Sequence, residues 1–556
     1  MKLYAFKMEL NIQAYEKHMA NGVIAFLSNA FKKDGRKFDV TKKESDLHDI
    51  ENNYMKTGCF WCLVDFQNKI KGTIAIRQID NDCWEIRRFF INPKNQNMGY
   101  GTKMLKTVLY YAVEHNIKVL KGAVMERGKA IKHLHDKLGF TPTARYSNSS
   151  AEIFYKIELT PDYRYKLLLD KLENQFQETL ILNPTENMPM RDSSLNTSFL
   201  EGLYVSEHVK GINDKVIFGG RNGYIDFQEE VKKEWLKAMN AYDVDLKTLS
   251  GLHAHLILFL CILQPGDIVM LLPEICGGHF STENILRNLG AKVIHMEPDC
   301  DNYCVDREKT ESIIKQYKPQ YIFVDRSEGI VYEDFSWLSS FHDCFKIFDA
   351  SQYLSQIITG KYTHPFTMGF DILLSTLHKN YPGPQKGLLC VPYDSVVWQT
   401  YKKESKTYIS NTHPEDIAVS IIPLLDAKKF NDYASLNEAC NRLLEKELIK
   451  LGLPIIQPKN SAPRTMHIWI LCKNSNESYS YYLRLEQLGL LTNYRLLPYN
   501  LGYGLRIGTS AAVRSGLKEE HIPALANIMA KVYFEGITQD IHKKTKKLIK
   551  QIKGLL

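Results

Sequence analysis

The pattern of hydrophobic and polar residues changes near residue 160 and predicts two regions. Before that point, five strand-like runs surround two amphipathic helices; the runs lie at residues 59–66, 71–78, 83–91, 119–124 and 152–159. Beyond it, short apolar runs alternate with helical repeats, and glycine, proline and polar turns separate them. Such alternation is typical of a parallel α/β sheet.

One predicted helix of the second region, at residues 254–263, is apolar on nearly every side. A helix that is hydrophobic all round is buried in a core. Thr248, Ser250 and Gly251 precede it. The free N–H groups of a helix N-terminus are a ready site for an anion, so the start of this helix is a candidate phosphate cradle.

Four predicted strands of the second region end at residues with useful chemistry. The strands lie at residues 268–272, 321–324, 345–348 and 372–374, and they lead to His279, Ser327, Asp349 and Lys379. The carboxyl ends of parallel strands share one edge of a sheet, where open α/β folds bind their ligands. We therefore expect these side chains to converge.

Lys379 precedes Tyr381-Pro-Gly-Pro384, which forces a turn just past a strand. A partly desolvated lysine beside hydroxyl groups can lose its proton and form a Schiff base with an aldehyde. Alone, this position favours an ordinary surface lysine. Together with a phosphate cradle, an imidazole and the Asp349 carboxylate, it meets the needs of pyridoxal 5′-phosphate, whose ring nitrogen pairs with an acid.

Composition limits the class of protein. A chain of 556 residues is expected to hold two to four domains. Much of the net charge of +8 comes from lysines at residues 543–553, which predict a solvated terminal helix rather than an arm for nucleic acid or membrane. The first residues are too charged for a signal peptide, and no apolar run is long enough to span a bilayer. The 11 scattered cysteines then predict a cytoplasmic protein with reduced thiols and no metal site.

Residues 96–101 form a glycine-rich turn between a strand and a helix, and Lys137-Leu-Gly-Phe140 follows later. Glycines at 99 and 101 let N–H groups approach a pyrophosphate; a plain tight turn is the alternative. With these motifs the segment resembles the GNAT family of acyl-CoA N-acetyltransferases. The resemblance implies that acetyl-CoA is the co-substrate and is held by Gln96, Asn97, Met98, Gly99, Gly101 and Thr102.

The same resemblance implies a general acid on helix 129–140. Many members carry an asparagine and a tyrosine whose positions here hold Arg127 and His135. A histidine can donate a proton near neutral pH, so His135 is the predicted catalytic acid and Glu85 a candidate base. A domain reduced to binding coenzyme A is the alternative. The amine acceptor is not indicated.

Six motifs of the second region resemble serine hydroxymethyltransferase, a fold-type I enzyme that uses pyridoxal phosphate. They are Ser250-Gly-Leu252, Gly277-Gly-His279, Asp349-Ala-Ser-Gln352, Ser375-Thr-Leu-His-Lys379, Gly383-Pro-Gln-Lys-Gly387 and Gly504-Leu-Arg-Ile-Gly-Thr509. The resemblance implies that Lys379 holds the aldehyde. It implies that the cofactor is bound by Ser250, Gly251, Leu252, His279, Ser327, Asp349, Gln352, His378, Lys379 and Gly387.

The resemblance further implies that Arg506 binds the substrate α-carboxylate by a bidentate pair. Phe199-Leu-Glu-Gly202 resembles the family's Tyr-Ala-Glu-Gly, which implies that Glu201 handles a proton. In the family this loop enters the neighbouring subunit's site, so a homodimer is implied. The substrates would be small amino acids, with amines for the first region.

Several positions depart from the family. Gln352 replaces a histidine, Leu252 replaces a hydroxyl residue, and Ile217 and Phe218 replace two tyrosines. These changes leave the use of tetrahydrofolate open, whereas the pyridoxal core is retained.

We therefore expect an α/β protein with three parts: a GNAT domain with a mixed sheet at residues 1–158, a large, mostly parallel pyridoxal-phosphate domain at 159–400, and a small α+β domain at 401–556. The predicted function is a fusion of an N-acetyltransferase with an enzyme that makes or breaks the Cα–Cβ bond of a β-hydroxy amino acid, with or without folate. An aminotransferase or racemase on the same scaffold is the alternative.

Overall fold

The structure is a computed structural model that describes residues 10–33, 35–65, 67–125, 129–147, 151–192, 194–202 and 222–555. The chain forms two compact units, Met1–Gln177 and Glu178–Leu556. None of the described helices is both long and apolar enough to cross a membrane.

The first unit is built on a seven-stranded mixed sheet in the order β1-β2-β3-β4-β5-β7-β6. The strands are β1 Asn11–Ala14, β2 Cys59–Val64, β3 Ile70–Gln78, β4 Cys83–Ile91, β5 Val119–Val124, β6 Thr141–Pro142 and β7 Ile153–Glu158. The helices are α1 Ala20–Lys33, α2 Tyr100–Glu114, α3 Lys129–Lys137 and α4 Pro161–Gln177. Only β4 and β5 pair in parallel, and α2 leads from one to the other.

Helix α4 packs with the first unit, whereas the predicted boundary at residue 158 placed it in the second domain. Asp170 of α4 accepts hydrogen bonds from Lys106 at 2.7 Å and from the hydroxyl of Tyr110 at 2.8 Å, both on α2. The hydroxyl of Tyr163 donates to the carbonyl of Leu138 at 2.9 Å. The sequence placed this helix at the start of the second domain because its leucine pattern did not show which sheet it packs on.

The second unit contains a larger seven-stranded sheet, in the order β11-β10-β14-β15-β16-β17-β9. Its strands are β9 Asp243–Asp245, β10 Ile268–Leu271, β11 Lys292–His295, β14 Tyr321–Val324, β15 Phe345–Asp349, β16 Ile372–Thr376 and β17 Gly387–Val391. The shorter strands and the small sheet comprise β8 Leu180–Ile181, β12 Pro298–Asp299, β13 Cys304–Val305, β18 Ile468–Leu471, β19 Leu490–Leu491, β20 Asn493–Leu497 and β21 Gly502–Ile507.

Helices cover this sheet and the small one. They are α5 Asn222–Met239, α6 Gly251–Ile262, α7 Thr282–Asn288, α8 Arg307–Tyr317, α9 Leu354–Ile358, α10 Val396–Tyr408, α11 Pro414–Ser420, α12 Ile422–Leu425, α13 Ala427–Lys450, α14 Ser475–Gln487, α15 Ser510–Arg514, α16 Ile522–Phe534 and α17 Gln539–Ile552. The predicted terminal basic helix is α17, whose apolar residues, such as Leu548 and Ile549, pack into the core.

The five strands β11, β10, β14, β15 and β16 run parallel, whereas β17 and β9 pair antiparallel. This matches the predicted mostly parallel sheet. The buried faces of these strands are almost wholly apolar, as expected for a sheet covered on both sides. The carboxyl ends of β14, β15 and β16 therefore reach the same edge, where polar side chains collect.

Candidate functional site

Lys379 lies just past β16, in a turn closed by backbone hydrogen bonds. The N–H of Leu377 donates to the carbonyl of Lys386 at 2.9 Å, and the N–H of Gly383 donates to the carbonyl of Leu377 at 2.8 Å. The side-chain amide of Asn187 donates to the carbonyl of Lys379 at 2.7 Å. The turn thus fixes the lysine at the edge of the sheet.

The amino group of Lys379 lies among buried charges. Burial lowers its pKa; the charge of Asp349 opposes this shift, that of Arg506 adds to it, and that of Asp325 opposes it. The neutral amine is the form that attacks a carbonyl carbon, so this environment suits a lysine nucleophile.

Asp349 ends β15, and two hydrogen bonds fix its carboxylate. Oδ1 accepts the N–H of Ser351 at 2.7 Å, and Oδ2 lies 2.8 Å from Nε2 of His255. Burial alone would raise the pKa of Asp349, but the bonds from His255 and Ser351 outweigh burial and lower it. Asp349 is therefore held as a carboxylate.

His255, on α6, is buried between two acids. Its Nδ1 lies 3.4 Å from Oγ1 of Thr282 and 3.9 Å from Oδ2 of Asp325, while Thr282 donates to that same oxygen at 2.5 Å. Burial alone would lower the pKa of His255, but Asp325 and Asp349 raise it. Burial raises the pKa of Asp325 to about 6. His255 and Asp325 can therefore share a proton near neutral pH.

Ligand atoms of His255, Asp325 and Asp349 lie within 4.8 Å of one another, the spacing of a possible metal site. However, the 2.8 Å between Nε2 of His255 and Oδ2 of Asp349 is that of a hydrogen bond, with a proton between the two atoms. A metal ion would need the lone pair that this proton occupies. We therefore treat the three residues as a hydrogen-bonded chain.

His279 follows a turn after β10 that glycine alone can make. A Cβ on Gly277 would lie 1.9 Å from the carbonyl oxygen of Glu328, and one on Gly278 would come equally close to a backbone oxygen of the preceding segment. The turn sets the ring of His279 edge-on to that of His255, with centroids 5.9 Å apart. Burial lowers the pKa of His279 to about 4, which leaves the ring neutral at neutral pH.

The first turn of α6 and the turn before β17 form a cradle of backbone groups. Ser250 caps α6 because its Oγ accepts an N–H of the first turn at 3.1 Å. A Cβ on Gly387 would lie 2.2 Å from Oγ1 of Thr248, and one on Gly251 would lie 3.0 Å from Cβ of Thr376. The first-turn N–H groups have no acceptor within the helix, so the cradle suits a phosphate.

Three more predicted cofactor residues have different surroundings. Leu252 leaves 43% of its surface exposed. Nδ1 of His378 lies 2.8 Å from Oγ1 of Thr376, and burial lowers the pKa of His378 to about 4. Ser327 offers its carbonyl to Arg506 at 3.5 Å.

Gln352 is oriented by His467. Oε1 of Gln352 lies 3.1 Å from Nε2 of His467, whose Nδ1 accepts the N–H of Gly329 at 3.5 Å. Burial lowers the pKa of His467 well below its ordinary value, so the neutral ring donates through Nε2. The amide nitrogen of Gln352 is buried and has no hydrogen-bond partner in the described part of the chain. It is therefore free to donate to a ligand.

Arg506 extends from β21 and is only 2% exposed. Its Nη1 lies 3.8 Å from Oε1 of Glu328, which also pairs with Arg495 on β20. Burial lowers the pKa of Arg506 to about 10, so the group stays charged at neutral pH. Among the described residues, Nε of Arg506 and Oε2 of Glu328 are buried without a partner. The single carboxylate of Glu328 thus pairs with two guanidinium groups. One positive charge is left over, and it can attract an anionic ligand.

Glu201 is exposed, unlike the buried residues of this cluster. It follows the short 3₁₀ helix Ser198–Leu200, its backbone N–H donates to the carbonyl of Ser198 at 3.1 Å, and its side chain is exposed. Ile217 and Phe218, the departures from the family's tyrosine pair, lie outside the described residues.

The predicted pyrophosphate loop of the first unit forms a tight turn before α2. Asn97 has φ 61° and Gly99 has φ 83°, and α2 begins directly after Gly99. The side-chain amide of Gln96 donates to the carbonyl of Ile91 at 3.1 Å and braces the turn. The N–H groups of Gly101 and Thr102 lie in the first turn of α2, where donors lack intrahelical partners, and Met98 directly precedes the cap residue Gly99.

His135, the predicted acid of the first unit, is buried on α3. Its Nδ1 lies 2.8 Å from the carbonyl of Ile131, its ring stacks on Tyr155, and Nε2 faces Gly122 without a hydrogen-bond partner in the described residues. Burial lowers its pKa. A neutral ring that donates through Nδ1 to a carbonyl has no proton left on Nε2, so this arrangement disfavours the predicted role. Arg127 lies outside the described residues.

Glu85, the candidate base, is held by neighbouring polar groups on the sheet. Its Oε2 lies 3.3 Å from Arg77 and 3.7 Å from Arg87, and its Oε1 accepts the hydroxyl of Tyr146 at 3.4 Å. Two arginines and a tyrosine hydroxyl therefore occupy the carboxylate oxygens in the folded chain.

The sequence reasoning missed five residues of the buried cluster: His255, Thr282, Asp325, Glu328 and Arg495. A histidine inside an otherwise apolar helix was a usable signal for His255, since a buried imidazole needs partners. Asp325 stands at a strand end, two residues before the predicted Ser327. The sequence around Glu328 and around Arg495 contains no pattern that would mark either residue as part of a site.

Comparisons with known proteins also find two families in this chain, with the change between residues 140 and 162. Residues 26–140 match the acetyltransferase (GNAT) family, and residues 162–529 match the serine hydroxymethyltransferase family. Both predicted resemblances are therefore confirmed.

Individual relatives are distant. A serine hydroxymethyltransferase of Pyrobaculum calidifontis is 25% identical over 367 residues, which cover 64% of this chain and 84% of the relative. One from Aeropyrum pernix is 27% identical over 329 residues, 56% of this chain and 74% of the relative. The crystal structure of an L-threonine transaldolase from Pseudomonas fluorescens aligns with a TM-score of 0.64 at 20% identity, covering 70% of this chain and 90% of that one. This last likeness shows a shared fold.

Proposed function

Because the chain belongs to the serine hydroxymethyltransferase family over residues 162–529 and carries a GNAT domain before it, we propose that it joins two enzymes. The second unit makes or breaks the Cα–Cβ bond of a β-hydroxy amino acid with pyridoxal phosphate. The observation that carries this proposal is the convergence of Lys379, Asp349 and Arg506 on one buried edge of the sheet.

The residues present fit pyridoxal phosphate. Buried polar atoms that lack a partner in the described residues include Oγ1 of Thr248 and Nε2 of Gln352. The glycines at 251 and 387 keep open a cradle that a Cβ would fill. A lysine, a fixed carboxylate and a neutral imidazole complete the set. When bound, the cofactor supplies an electron sink for carbanion chemistry.

Each residue has a proposed task toward the cofactor. Lys379 binds the aldehyde carbon. Asp349 binds the ring nitrogen and keeps it protonated, Gln352 donates to the phenolic oxygen, and His279 packs its neutral ring on the heterocycle. Ser250, Gly251, Leu252 and Gly387 hold the phosphate with backbone groups, while Ser327 and His378 line the pocket.

Arg506 binds the substrate α-carboxylate and orients the amino acid. A bidentate pair fixes the plane of the carboxylate, which keeps the Cα–COO⁻ bond out of the cleavage geometry and favours reaction at the Cα–H or Cα–Cβ bond. Glu201 exchanges a proton with the β-hydroxyl. Since Glu201 is exposed within one chain, we place it in the site of a second copy, which requires a homodimer.

For the first unit, we propose that the loop of Gln96, Asn97, Met98, Gly99, Gly101 and Thr102 binds acetyl-CoA through N–H groups at the start of α2. Two features of the loop support this assignment: the hydrogen bond from the side-chain amide of Gln96 to the carbonyl of Ile91, and the positive φ angles of Asn97 and Gly99. We do not assign the general acid to His135, because its ring faces a backbone carbonyl.

The test is an absorbance spectrum of the purified full chain with pyridoxal phosphate, with Lys379→Ala as the control. We expect a visible band that shifts on adding serine, threonine or a related β-hydroxy amino acid, with release of aldehyde. The Lys379→Ala variant should lack the band. Assays with and without tetrahydrofolate decide whether folate is a co-substrate. A keto acid or a D-amino acid without aldehyde would instead support an aminotransferase or a racemase.

A further inference from the structure

Behind Asp349 lies a second layer of polar groups that the proposed function does not use. His255, Thr282 and Asp325 come from α6, α7 and the end of β14, and all are less than 3% exposed. The chain of contacts runs from Asp349 through His255 and Thr282 to Asp325, with separations of 2.8, 3.4 and 2.5 Å.

The single hydroxyl proton of Thr282 limits the states of this chain. When Asp325 is a carboxylate, Thr282 donates to it at 2.5 Å and has no proton for Nδ1 of His255, which then carries its own. When Asp325 is protonated, it can donate to Thr282, which donates to a neutral His255. The His255–Asp325 pair therefore has no net charge in either state, and one proton decides which end is charged.

The charge on His255 matters for Asp349. A carboxylate beside a neutral buried imidazole can take a proton, whereas one beside an imidazolium stays ionised. The groups facing His255 are Asp349, Asp325, Lys379 and the ring of His279. Asp325 and Asp349 favour the imidazolium, and Lys379 opposes it.

We propose that Asp325, Thr282 and His255 are positioning residues that keep Asp349 ionised toward the ring nitrogen of pyridoxal phosphate. The inference rests on the proposed function and extends it. The buried dipole, with the imidazolium next to Asp349 and the Asp325 carboxylate behind it, stabilises the ionic pair of Asp349 with a protonated ring nitrogen. Without Asp325 the pair relaxes toward a neutral acid and an unprotonated ring.

The test uses the full chain loaded with pyridoxal phosphate labelled with ¹⁵N in the ring, whose nitrogen resonance reports protonation directly. In the wild type we expect the protonated form. In Asp325→Asn the signal should move toward the unprotonated form. The preference for pyridoxal phosphate over its 1-deaza analogue, which lacks that nitrogen, should fall by about tenfold, the size of one charge-assisted hydrogen bond.

Three further variants separate this role from a structural one. Asp243→Asn removes another buried acid of the same unit, which pairs with Lys232, and should change neither readout. Thr282→Val should act in the same direction as Asp325→Asn, which keeps the proposal testable if one variant misfolds. His255→Gln should abolish the effect of Asp325→Asn, because a neutral amide cannot relay the charge.

The outcomes distinguish the two levels of the argument. Wild-type protein that takes up no pyridoxal phosphate overturns the proposed function and this inference with it. Wild-type protein that binds the cofactor, with a ring-nitrogen signal unchanged in both Asp325→Asn and Thr282→Val, overturns only the inference.

Discussion

The two units present their candidate chemistry in opposite ways. The second unit gathers residues from several strand ends into one buried network, in which Asp349, His255 and Asp325 shift one another's pKa values. The first unit offers a loop of backbone donors, while His135 and Glu85 are each engaged by nearby groups. The candidate site of the second unit therefore depends on the charges of its buried side chains. That of the first unit depends on the conformation of a loop backbone.

This contrast predicts that the buried charges around the site of the second unit are costlier to disturb than the candidate base of the first unit. Arg326 is buried and pairs with Glu333, whose other oxygen accepts the N–H of Val305 at 2.6 Å. Glu333→Gln should lower the free energy of unfolding by about 3–5 kcal/mol, since it leaves a buried arginine uncompensated. Glu85→Gln is the matched change in the first unit, where Arg77 is 40% exposed, and should cost about 1 kcal/mol or less.

Denaturant unfolding, followed separately for each unit by tryptophan fluorescence or hydrogen exchange, measures both losses. Equal losses for Glu333→Gln and Glu85→Gln would contradict the contrast. The Arg326 pair also supports the site, because Arg326 donates to the carbonyl of Cys276, next to the glycine turn before His279.

The next prediction concerns the two arginines that share Glu328. Arg506→Lys should lower kcat/KM for an amino acid substrate by roughly 100-fold, because a lysine cannot make the bidentate pair and leaves part of a buried charged bond unmade. Arg495→Lys is the control: Arg495 is 32% exposed in its side chain, and we expect a loss of about tenfold or less.

Steady-state kinetics with the free amino acid and with its amide separate binding of the carboxylate from other effects. If Arg506→Lys lowers kcat/KM for the amide as much as for the free amino acid, the arginine does not bind the carboxylate.

The sequence predicted the second unit's sheet because its strands are short apolar runs. The range 321–324 was predicted as a strand and is β14, and β16 extends the predicted 372–374 run by two residues, to Thr376. It could not predict that β17 turns back antiparallel, because the Gly383–Gly387 turn permits either direction. The sequence did not show how α4 packs for a related reason: its partners Lys106 and Tyr110 lie far away in sequence.

For the candidate site, the sequence singled out Lys379, Asp349 and Arg506, since each lies in a motif with a distinctive order of residues. Asp325 and His255 could not be paired from the sequence, because they stand 70 positions apart and the fold brings them together. The same limit applies to His135, where a plausible residue type at a plausible position gave no sign of which way the ring would face.

In the first unit, the shape of the loop can be tested without touching a charge. Gly99→Ala adds a Cβ that meets nothing within 4 Å but imposes strain at φ +83°. Because the loop must hold its N–H groups toward a pyrophosphate, coenzyme A affinity should fall by about tenfold, equivalent to strain of 1–2 kcal/mol. Gly35→Ala is the control, with φ +69° and equally open surroundings. It should reduce stability but not affinity, as measured by calorimetry.

The smallest expected effect is a pH profile that does not change, and it bears most directly on the two histidines. Burial lowers the pKa of His279 to about 4 and also lowers that of His135, so both are neutral at pH 7 and titrate below their ordinary range. A folded-state pKa below the unfolded one means that the neutral form is favoured. Stability is therefore full at neutral pH and is lost as the pH falls toward the lowered pKa.

His279→Phe should keep a ring on the cofactor and lower the rate by about tenfold or less, with the same pH dependence between about pH 6 and pH 8. His135→Gln should likewise leave the pH profile of acetyl transfer unchanged across that interval. A basic limb that disappears in His135→Gln would restore this residue as the acid of the first unit, and the two units would then both use buried titratable groups.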